Sequence, residues 1–369
     1  MAAEAQRGFN WIRKSPMAGS ARQTEIWTLE PEGISHDVKV TAGKPLNLSE
    51  VKRNWSFRRE LDKCESLREF FDELGSFEHF TSCPVCKADF AAAKPEVKIW
   101  RSTYYECSSC RHLYVDLRPT EKALSEYYSK NPLGNTIYTT CDEIDLRIRE
   151  IYRPKALWAI ECYREVYGRD PQSVLDLGAG SGHFLKSCSD LGLAAEGVEI
   201  DETSRAWCEK SFGITLNRSF EELSETGRKF DLVTSFNVIE HLVEPGRILE
   251  NCRRFASERS LSVIETPRYN SITCALQKIF PSRIRGYMFP YGHIQVFSDA
   301  SFATLLHLHK FRPTHAWYFG QDAREIFFQI GSELSAEADE GAARNFEGLQ
   351  HEIDQLGLSD LMIIAAKAT

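Results

Sequence analysis

Apolar and polar positions along the chain change period several times, and each change marks an element. From Leu48 to Leu74 the residues Val51, Trp55, Leu61, Leu67, Phe70, Phe71 and Leu74 fall at helical spacing with charges between them. This predicts one or two amphipathic helices stopped by Gly75. Leu113 to Leu117 alternates as a strand does, Pro119 stops it, and Thr120 is placed to cap a helix from Glu121. Ile144 to Tyr167 reads as one long helix. Val174 to Leu177 is then an apolar run with one acid, the pattern of a buried parallel strand, and helical spacing resumes from Phe184 to Leu191. Further strands are predicted at Leu193 to Ile200, Ile214 to Leu216, Phe230 to Phe236 and Leu261 to Glu265, with helices over Glu202 to Phe212 (capped by Asp201) and Arg247 to Phe255. Ser298 is placed to cap a helix from Phe302 to His309, and Phe311 to Phe319 predicts another strand. Arg324 to Gln355 holds two amphipathic helices about an acidic stretch from Ala336 to Gly341, and Leu361 to Ala368 is a last strand. Residues 1 to 48 have little periodicity and read as a weakly ordered arm or a set of short strands.

Strands alternating with helices predict an α/β fold with a mostly parallel sheet. Its chemistry starts at Asp176-Leu-Gly-Ala-Gly-Ser-Gly, where Gly178, Gly180 and Gly182 follow the first buried strand directly and open a helix. A strand, a glycine turn and a helix make the first half of a nucleotide-binding βαβ unit, in which a ligand lies against bare backbone. The next strand ends at Glu199, 23 residues after Asp176, where a carboxylate can accept both ribose hydroxyls of an adenosine. His183 occupies the sixth position of the turn, and a dinucleotide fingerprint needs a small residue there for close helix packing.

The Asp-x-Gly-x-Gly-x-Gly pattern resembles motif I of class I S-adenosylmethionine (SAM) dependent methyltransferases. Lys229-Phe-Asp-Leu-Val-Thr-Ser-Phe-Asn-Val-Ile-Glu-His-Leu resembles the fourth strand of that superfamily and the loop after it. The resemblance implies a Rossmann-like, seven-stranded sheet with helices on both faces. It implies SAM as cofactor, held by Asp176, Gly178, Ala179, Gly180, Gly182, Glu199 and Ile200, with Ser219 and Phe220 beside the adenine and Asn237 at the methionine end. Glu240 and His241 would then lie beside the transferable methyl, or simply fix their loop.

A second motif precedes the sheet. Cys83-Pro-Val-Cys86 and Cys107-Ser-Ser-Cys110 are separated by 20 residues, the spacing of a structural zinc ribbon whose four thiolates close a tetrahedral shell. The run from Cys107 through Arg118-Pro-Thr to Tyr127-Tyr128 resembles a bacterial arrangement in which a ribbon precedes a methyltransferase acting on sugars, sugar nucleotides or secondary metabolites. The expected organisation is an arm and amphipathic helices over 1–78, a ribbon over 79–118, connecting and pocket-covering helices over 119–170, and the methyltransferase core over 171–369. Within the core, 268–292 carries Tyr269, Phe280, Arg283, Arg285, Tyr287, Phe289 and Tyr291 and reads as a substrate lid, or as a packing or homodimer surface. His293 follows, in a His-x-x-x-Phe-Ser element of the same family, where a histidine of near-neutral pKa is the expected general base, the alternatives being a residue that binds substrate or fixes the lid, or a core residue. Two departures stand out: Pro290-Tyr-Gly replaces the family's Tyr-His-Glu-His run, and residue 369 comes before the large third domain of sugar C-methyltransferases. Arg147, Arg149 and Arg153 on the covering helix make a solvated face or meet an anionic substrate.

Charge and composition narrow the partners. A net charge of −8 and a pI near 5.8 argue against an extended nucleic-acid footprint. No apolar run approaches the ~20 residues of a membrane span and the N-terminus has no signal-peptide core, so a cytoplasmic protein is expected. Eleven cysteines there mean metal ligands and reduced thiols rather than disulfides. The expected activity is methyl transfer to a small molecule; the alternatives are a ribbon-guided RNA or protein methyltransferase and a non-catalytic SAM-binding protein.

Overall fold

The computed structural model describes residues 8–14, 22–30, 32–43, 57–130, 141–281, 286–333 and 340–369. The opening segment forms three strands, β1 (Asn10–Lys14), β2 (Arg22–Glu30) and β3 (Ile34–Ala42), which decides between its two readings. Of the amphipathic stretch, Leu48 to Ser56 lies outside the described residues and α1 (Phe57–Leu74) covers the rest, with Gly75 at φ 62° after it. Five short strands follow: β4 (Phe77–His79), β5 (Lys94–Ile99), β6 (Ser102–Glu106), β7 (Leu113–Val115) and β8 (Leu117–Pro119). In α2 (Glu121–Lys130) the Thr120 hydroxyl accepts from the Ala123 N–H, as expected of a cap.

The helix expected over 144–167 arrives in two pieces, α3 (Cys141–Arg147) and α4 (Arg153–Tyr167), joined by a π turn over Ile148–Tyr152. Pro154 in the first turn of α4 has no N–H to continue the ladder, so the backbone widens before it. The core then alternates: β9 (Ser173–Leu177), α5 (His183–Asp190), β10 (Ala194–Val198), α6 (Glu202–Phe212), α7 (Phe220–Glu225), β11 (Phe230–Phe236), α8 (Gly246–Phe255) and β12 (Ala256–Pro267). It continues with α9 (Ile272–Ile279), β13 (Gln295–Val296), α10 (Asp299–Leu308), β14 (Phe311–Phe319), α11 (Asp322–Glu333), α12 (Glu340–Gln355) and β15 (Leu361–Ala368). The acidic stretch between the last two helices lies largely outside the described residues.

The central sheet has nine strands in the order β1-β2-β3-β14-β15-β12-β11-β9-β10, against the seven expected. Pairing is parallel from β12 through β11 and β9 to β10, and antiparallel where β15 lies between β12 and β14. The difference has two sources. Ile214 to Leu216 is not a strand: between the left-handed Gly213 that ends α6 and the Ser219 cap of α7 there is room only for one parallel bridge, Asn217 to Val198. At the other edge β3 pairs in parallel with β14, and β2 and β1 extend it, covering an edge that would otherwise offer unpaired backbone.

Side chains alternate across the buried strands. Val174, Leu232 and Val263 meet Ala159, Phe184 and Cys188 of α4 and α5, while Leu175, Val233 and Ile264 meet Ile248, Leu249 and Phe302 of α8 and α10. Both faces are therefore dry, which is why these strands read as unbroken apolar runs. The cysteine-rich segment does not form a core of its own. Tyr104, Leu113 and Val115 belong to the same apolar cluster as Leu175 and Ile264, and β13 joins β7 in a four-stranded sheet ordered β13-β7-β6-β5. Segment 268–292 is more ordered than its sequence suggests, because α9, capped by Ser271, buries Thr273, Cys274 and Gln277. Arg268 grips Asp299 at 2.7 Å, and residues 282–285, with Arg283 and Arg285, lie outside the described residues. Among the described residues no helix is long and apolar enough to cross a membrane.

Candidate functional site

Register brings the carboxyl ends of β9, β10, β11 and β12 to one edge: Val198 pairs with Leu177, Thr234 with Asp176, and Phe236 with Glu265. The glycine turn sits on this edge, held to β10 by its own backbone. Gly178 and Ala179 both donate to the Val198 carbonyl, at 2.9 and 3.0 Å, and Gly180 donates to Glu199 Oε2 at 2.7 Å. All three glycines have positive φ, at 81°, 52° and 76°. They are required for different reasons. A Cβ on Gly178 would strike Val238 Cγ2 at 2.5 Å and one on Gly182 would strike Cys208 Sγ, so both keep the protein's own packing. A Cβ on Gly180 would meet nothing within 4 Å and would project into open space beside the Glu199 carboxylate. That is the cradle a ligand can enter.

Glu199 is positioned for a ligand by what it already binds. Oε2 takes the Gly180 N–H and Oε1 the Asp201 N–H at 2.9 Å, leaving each oxygen a second lone pair. Asp201 caps α6 through Thr203 and Ser204, and Ile200, between them, is 45% exposed. Asp176 lies beneath the turn, sealed, with Thr234 Oγ1 donating to it at 2.6 Å; burial raises its pKa to about 7. Ser219 caps α7 by accepting from the Glu222 N–H, and half-buried Phe220 packs near Phe255. Asn237, at φ 55°, donates through Nδ2 to Glu265 Oε1 at 2.9 Å. Glu265 is fully buried and paired with Lys155 of α4. Lys155, the counter-charge of this corner, gave no sequence signal, since one lysine on an amphipathic helix reads as solvated. His183 is a packing residue, stacked between Tyr152 and Trp207 at 5.4 and 5.2 Å.

The turn Ile239–His241 after β11 carries the second half of the site. Glu240 is sealed from solvent, accepts from Thr266 Oγ1, and burial raises its pKa to about 8. Burial thus favours its protonated form, and the Thr266 contact ties its turn to the end of β12. His241 and His293 lie with ring centres 4.9 Å apart. His241 Nδ1 is 2.8 Å from both Tyr128 Oη and the Gly292 carbonyl, and His293 Nδ1 is 2.9 Å from the Tyr287 carbonyl. A carbonyl only accepts, so the Tyr287 contact assigns the proton of His293 to Nδ1 and leaves its Nε2 as the acceptor, whereas His241 meets the carbonyls of both Gly292 and Asn237. Neither pKa is near neutral, contrary to the expectation for His293: burial lowers His241 to about 4, and burial with the neighbouring His241 lowers His293 to about 3. One ligand atom each from Glu240, His241 and His293 lies within 4.8 Å of the others, so this corner also has the donors for a cation. Arg149 pairs with Glu150 at the exposed surface.

The four ribbon cysteines converge. Cys83 Sγ is 3.7 Å from Cys110 Sγ, and Cys86 Sγ is 3.6 Å from Cys107 Sγ. A tetrahedron with metal–sulfur bonds of ~2.3 Å has edges of about 3.8 Å, so the cage fits zinc. The two knuckles repeat one geometry. Lys87 and Arg111 follow their second cysteines at φ 60° and 63°, and donate to the Cys83 and Cys107 carbonyls, each at 2.9 Å.

Comparison with known proteins agrees with this construction. Residues 155–316 match the family model described as a methyltransferase domain. The chain is 27% identical over 116 residues to the ubiquinone biosynthesis O-methyltransferase of Rhizobium etli, covering 28% of this chain and 47% of the relative. It is 29% identical over 121 residues to the mitochondrial ubiquinone biosynthesis O-methyltransferase of Homo sapiens, covering 30% and 33%. The chain thus spans less than half the length of these relatives. Among solved structures, a SAM-dependent methyltransferase from Archaeoglobus fulgidus matches 59% of this chain and 94% of its own at 23% identity and a TM-score of 0.40. A plantazolicin methyltransferase bound to SAH matches 68% and 99% at 16% identity and a TM-score of 0.40. Residues 155–316 are therefore similar to a methyltransferase domain.

Proposed function

We propose that the protein transfers the methyl group of SAM to a small-molecule acceptor, a sugar, sugar nucleotide or secondary metabolite, with oxygen as the favoured acceptor atom. The observation that carries this reading is the open space over Gly180 beside the half-buried Glu199 carboxylate, on the same sheet edge as two histidines, of which His293 keeps Nε2 unprotonated. The curated relatives are O-methyltransferases, which favours oxygen.

In this reading Glu199 accepts the ribose hydroxyls and Ile200 offers apolar surface to the adenine, with Ser219 and Phe220 at its other side. Gly180 leaves the backbone bare, while Gly178, Ala179 and Gly182 shape the turn and Asp176 braces it from below. Asn237, fixed by Glu265 and Lys155, faces the methionine end. The bound cofactor supplies a methyl on a sulfonium, a good leaving group, so the protein's contribution is mainly alignment and proton removal. His293 accepts the acceptor's hydroxyl proton at Nε2, with the His241 ring beside it. A histidine held at about 3 is a weak base, but a hydroxyl becomes strongly acidic as its oxygen gains the methyl, so late transfer to such a base is downhill. Glu240, lacking a route to solvent, anchors this turn. Cys83, Cys86, Cys107 and Cys110 hold a structural zinc ion with no coordination position left for chemistry.

The test is incubation of the protein with tritium-methyl SAM and a bacterial extract, followed by separation of small molecules, RNA and protein. Label in the small-molecule fraction supports the proposal; label confined to RNA or protein replaces it with the ribbon-guided alternative, and absence of SAM binding removes both.

A further inference from the structure

The cysteine-rich segment touches the histidine corner at several points that structural zinc binding does not require. Tyr104 of β6 is fully buried, and its hydroxyl lies between two backbone groups of the 289–293 loop. It accepts from the Phe289 N–H at 2.7 Å and donates to the His293 carbonyl at 2.5 Å. Trp100, at the tip of the β5–β6 hairpin, packs on Phe289 and Tyr291 at 5.5 and 5.1 Å. A second chain of contacts begins at His112, two residues beyond Cys110. Its Nε2 is 2.7 Å from Gln295 Oε1, and Gln295 Nε2 donates to the carbonyls of Ile239, at 3.1 Å, and Leu242, at 2.5 Å, on either side of Glu240 and His241. The Val115 N–H donates to the Ile294 carbonyl at 3.1 Å, and the Ser298 hydroxyl to the Arg111 carbonyl at 2.8 Å.

Both histidines are thus carried on short segments whose backbone is tied to the ribbon side of the molecule. The glycine turn is not: its hydrogen bonds run to Val198, Glu199 and Ala179, all within the core. The two halves of the site therefore have different supports.

We propose that the ribbon positions the His241–His293 pair, with Tyr104 and Gln295 as the positioning residues, so that metal occupancy of the four cysteines governs the acceptor side of the site and leaves the cofactor side unaffected. The inference rests on the methyl-transfer reading only for what the histidines do; the mechanical coupling stands without it. Zinc sets the knuckle geometry that fixes β6 and β7, and those strands present Tyr104 and His112. Emptying the cage frees the strands and with them the 287–297 and 239–242 segments.

The experiment is hydrogen–deuterium exchange by mass spectrometry on the full chain, zinc-loaded and after chelation, and on Tyr104→Phe, with SAH affinity by calorimetry and zinc content by elemental analysis alongside. Tyr104→Phe keeps the ring and removes two buried hydrogen bonds. It is expected to speed exchange in 287–297 by about tenfold while zinc content and SAH affinity stay within about twofold of wild type. Chelation should speed exchange in both 287–297 and 239–242 and spare 173–182. A shift in the His293 imidazole nitrogen resonances in Tyr104→Phe, which general loosening of a distant β-hairpin would not produce, gives a second readout. Unchanged exchange in 287–297, or acceleration spread equally over 173–182, overturns the proposal. Failure of wild type to bind SAH overturns the methyl-transfer reading instead, and leaves the exchange result to decide the coupling.

Discussion

The three glycines of the turn should respond differently to the same added methyl group. At φ 52°, Gly180→Ala incurs the left-handed strain of an L-residue, about 1–2 kcal/mol, and nothing more, because its Cβ meets no atom within 4 Å. Gly182→Ala incurs the same strain and also drives its Cβ into Cys208 Sγ, an overpacking that adds about 1–3 kcal/mol. Urea denaturation should therefore rank the two, with Gly182→Ala the less stable. Cys208→Ala in the Gly182→Ala background should recover part of the loss, since it removes the sulfur that is struck. SAH affinity should rank them the other way. Gly180→Ala puts a methyl where the ligand lies and should cost at least tenfold, or about 1.4 kcal/mol. Gly182→Ala, measured where it is still folded, should bind more nearly normally. Wild-type SAH affinity in Gly180→Ala would refute the placement of the cofactor, and Gly182→Ala as stable as Gly180→Ala would refute the packing account of the third glycine.

Three further outcomes can be checked separately. Glu199→Ala should weaken SAM by about 1–3 kcal/mol in calorimetry through lost hydrogen bonds to a charged acceptor; an unchanged affinity would detach the ribose from this strand end. Cys107→Ser should lower zinc content and soluble yield, since binding there is coupled to folding of the segment, and an undiminished metal analysis would remove the ribbon. The third concerns pH. With folded pKa values of about 4 and 3 against ~6.5 in an unfolded chain, His241 and His293 favour folding in their neutral forms. That stability is fully present above ~6.5 and is lost as pH falls toward the folded values, so their C2–H resonances should stay constant between about pH 5.5 and 8. A mid-range titration of either ring would show that water reaches it.

How much of this was legible in the sequence follows from how local each signal is. The β9–turn–α5 unit and the two cysteine knuckles could be read because each is written within one short run of consecutive residues whose spacing is itself the chemistry. The strands of the arm were left ambiguous, because β3 becomes a strand by pairing with β14, some 275 residues away, and little in its own pattern demands it. The opposite failure occurred at Ile214 to Leu216, where the apolar pattern is right and the space between two helix termini is too short. The pKa of His293 was unreadable for a related reason: its environment comes from Tyr287, Phe289 and His241, and only folding brings the last of these close.

The residues that escaped the sequence share a feature that explains why. Lys155, Tyr104, Tyr128 and Gln295 each act on a residue from another element: Lys155 on Glu265, Tyr104 on the backbone at Phe289 and His293, Tyr128 on His241, and Gln295 on the turn that carries Glu240. On its own element each is an ordinary amphipathic or strand residue. The motif residues set which cofactor can lie on the sheet edge, because a bare backbone and a carboxylate recognise an adenosine wherever they occur together. The long-range supports set where the proton acceptors stand relative to it. On the proposed reading that second set selects the acceptor molecule, so changes at Tyr104, Tyr128 or Gln295 should alter acceptor turnover while SAH affinity holds. Matching losses in both would mean that the sheet edge is one rigid unit and that the division between its halves is false.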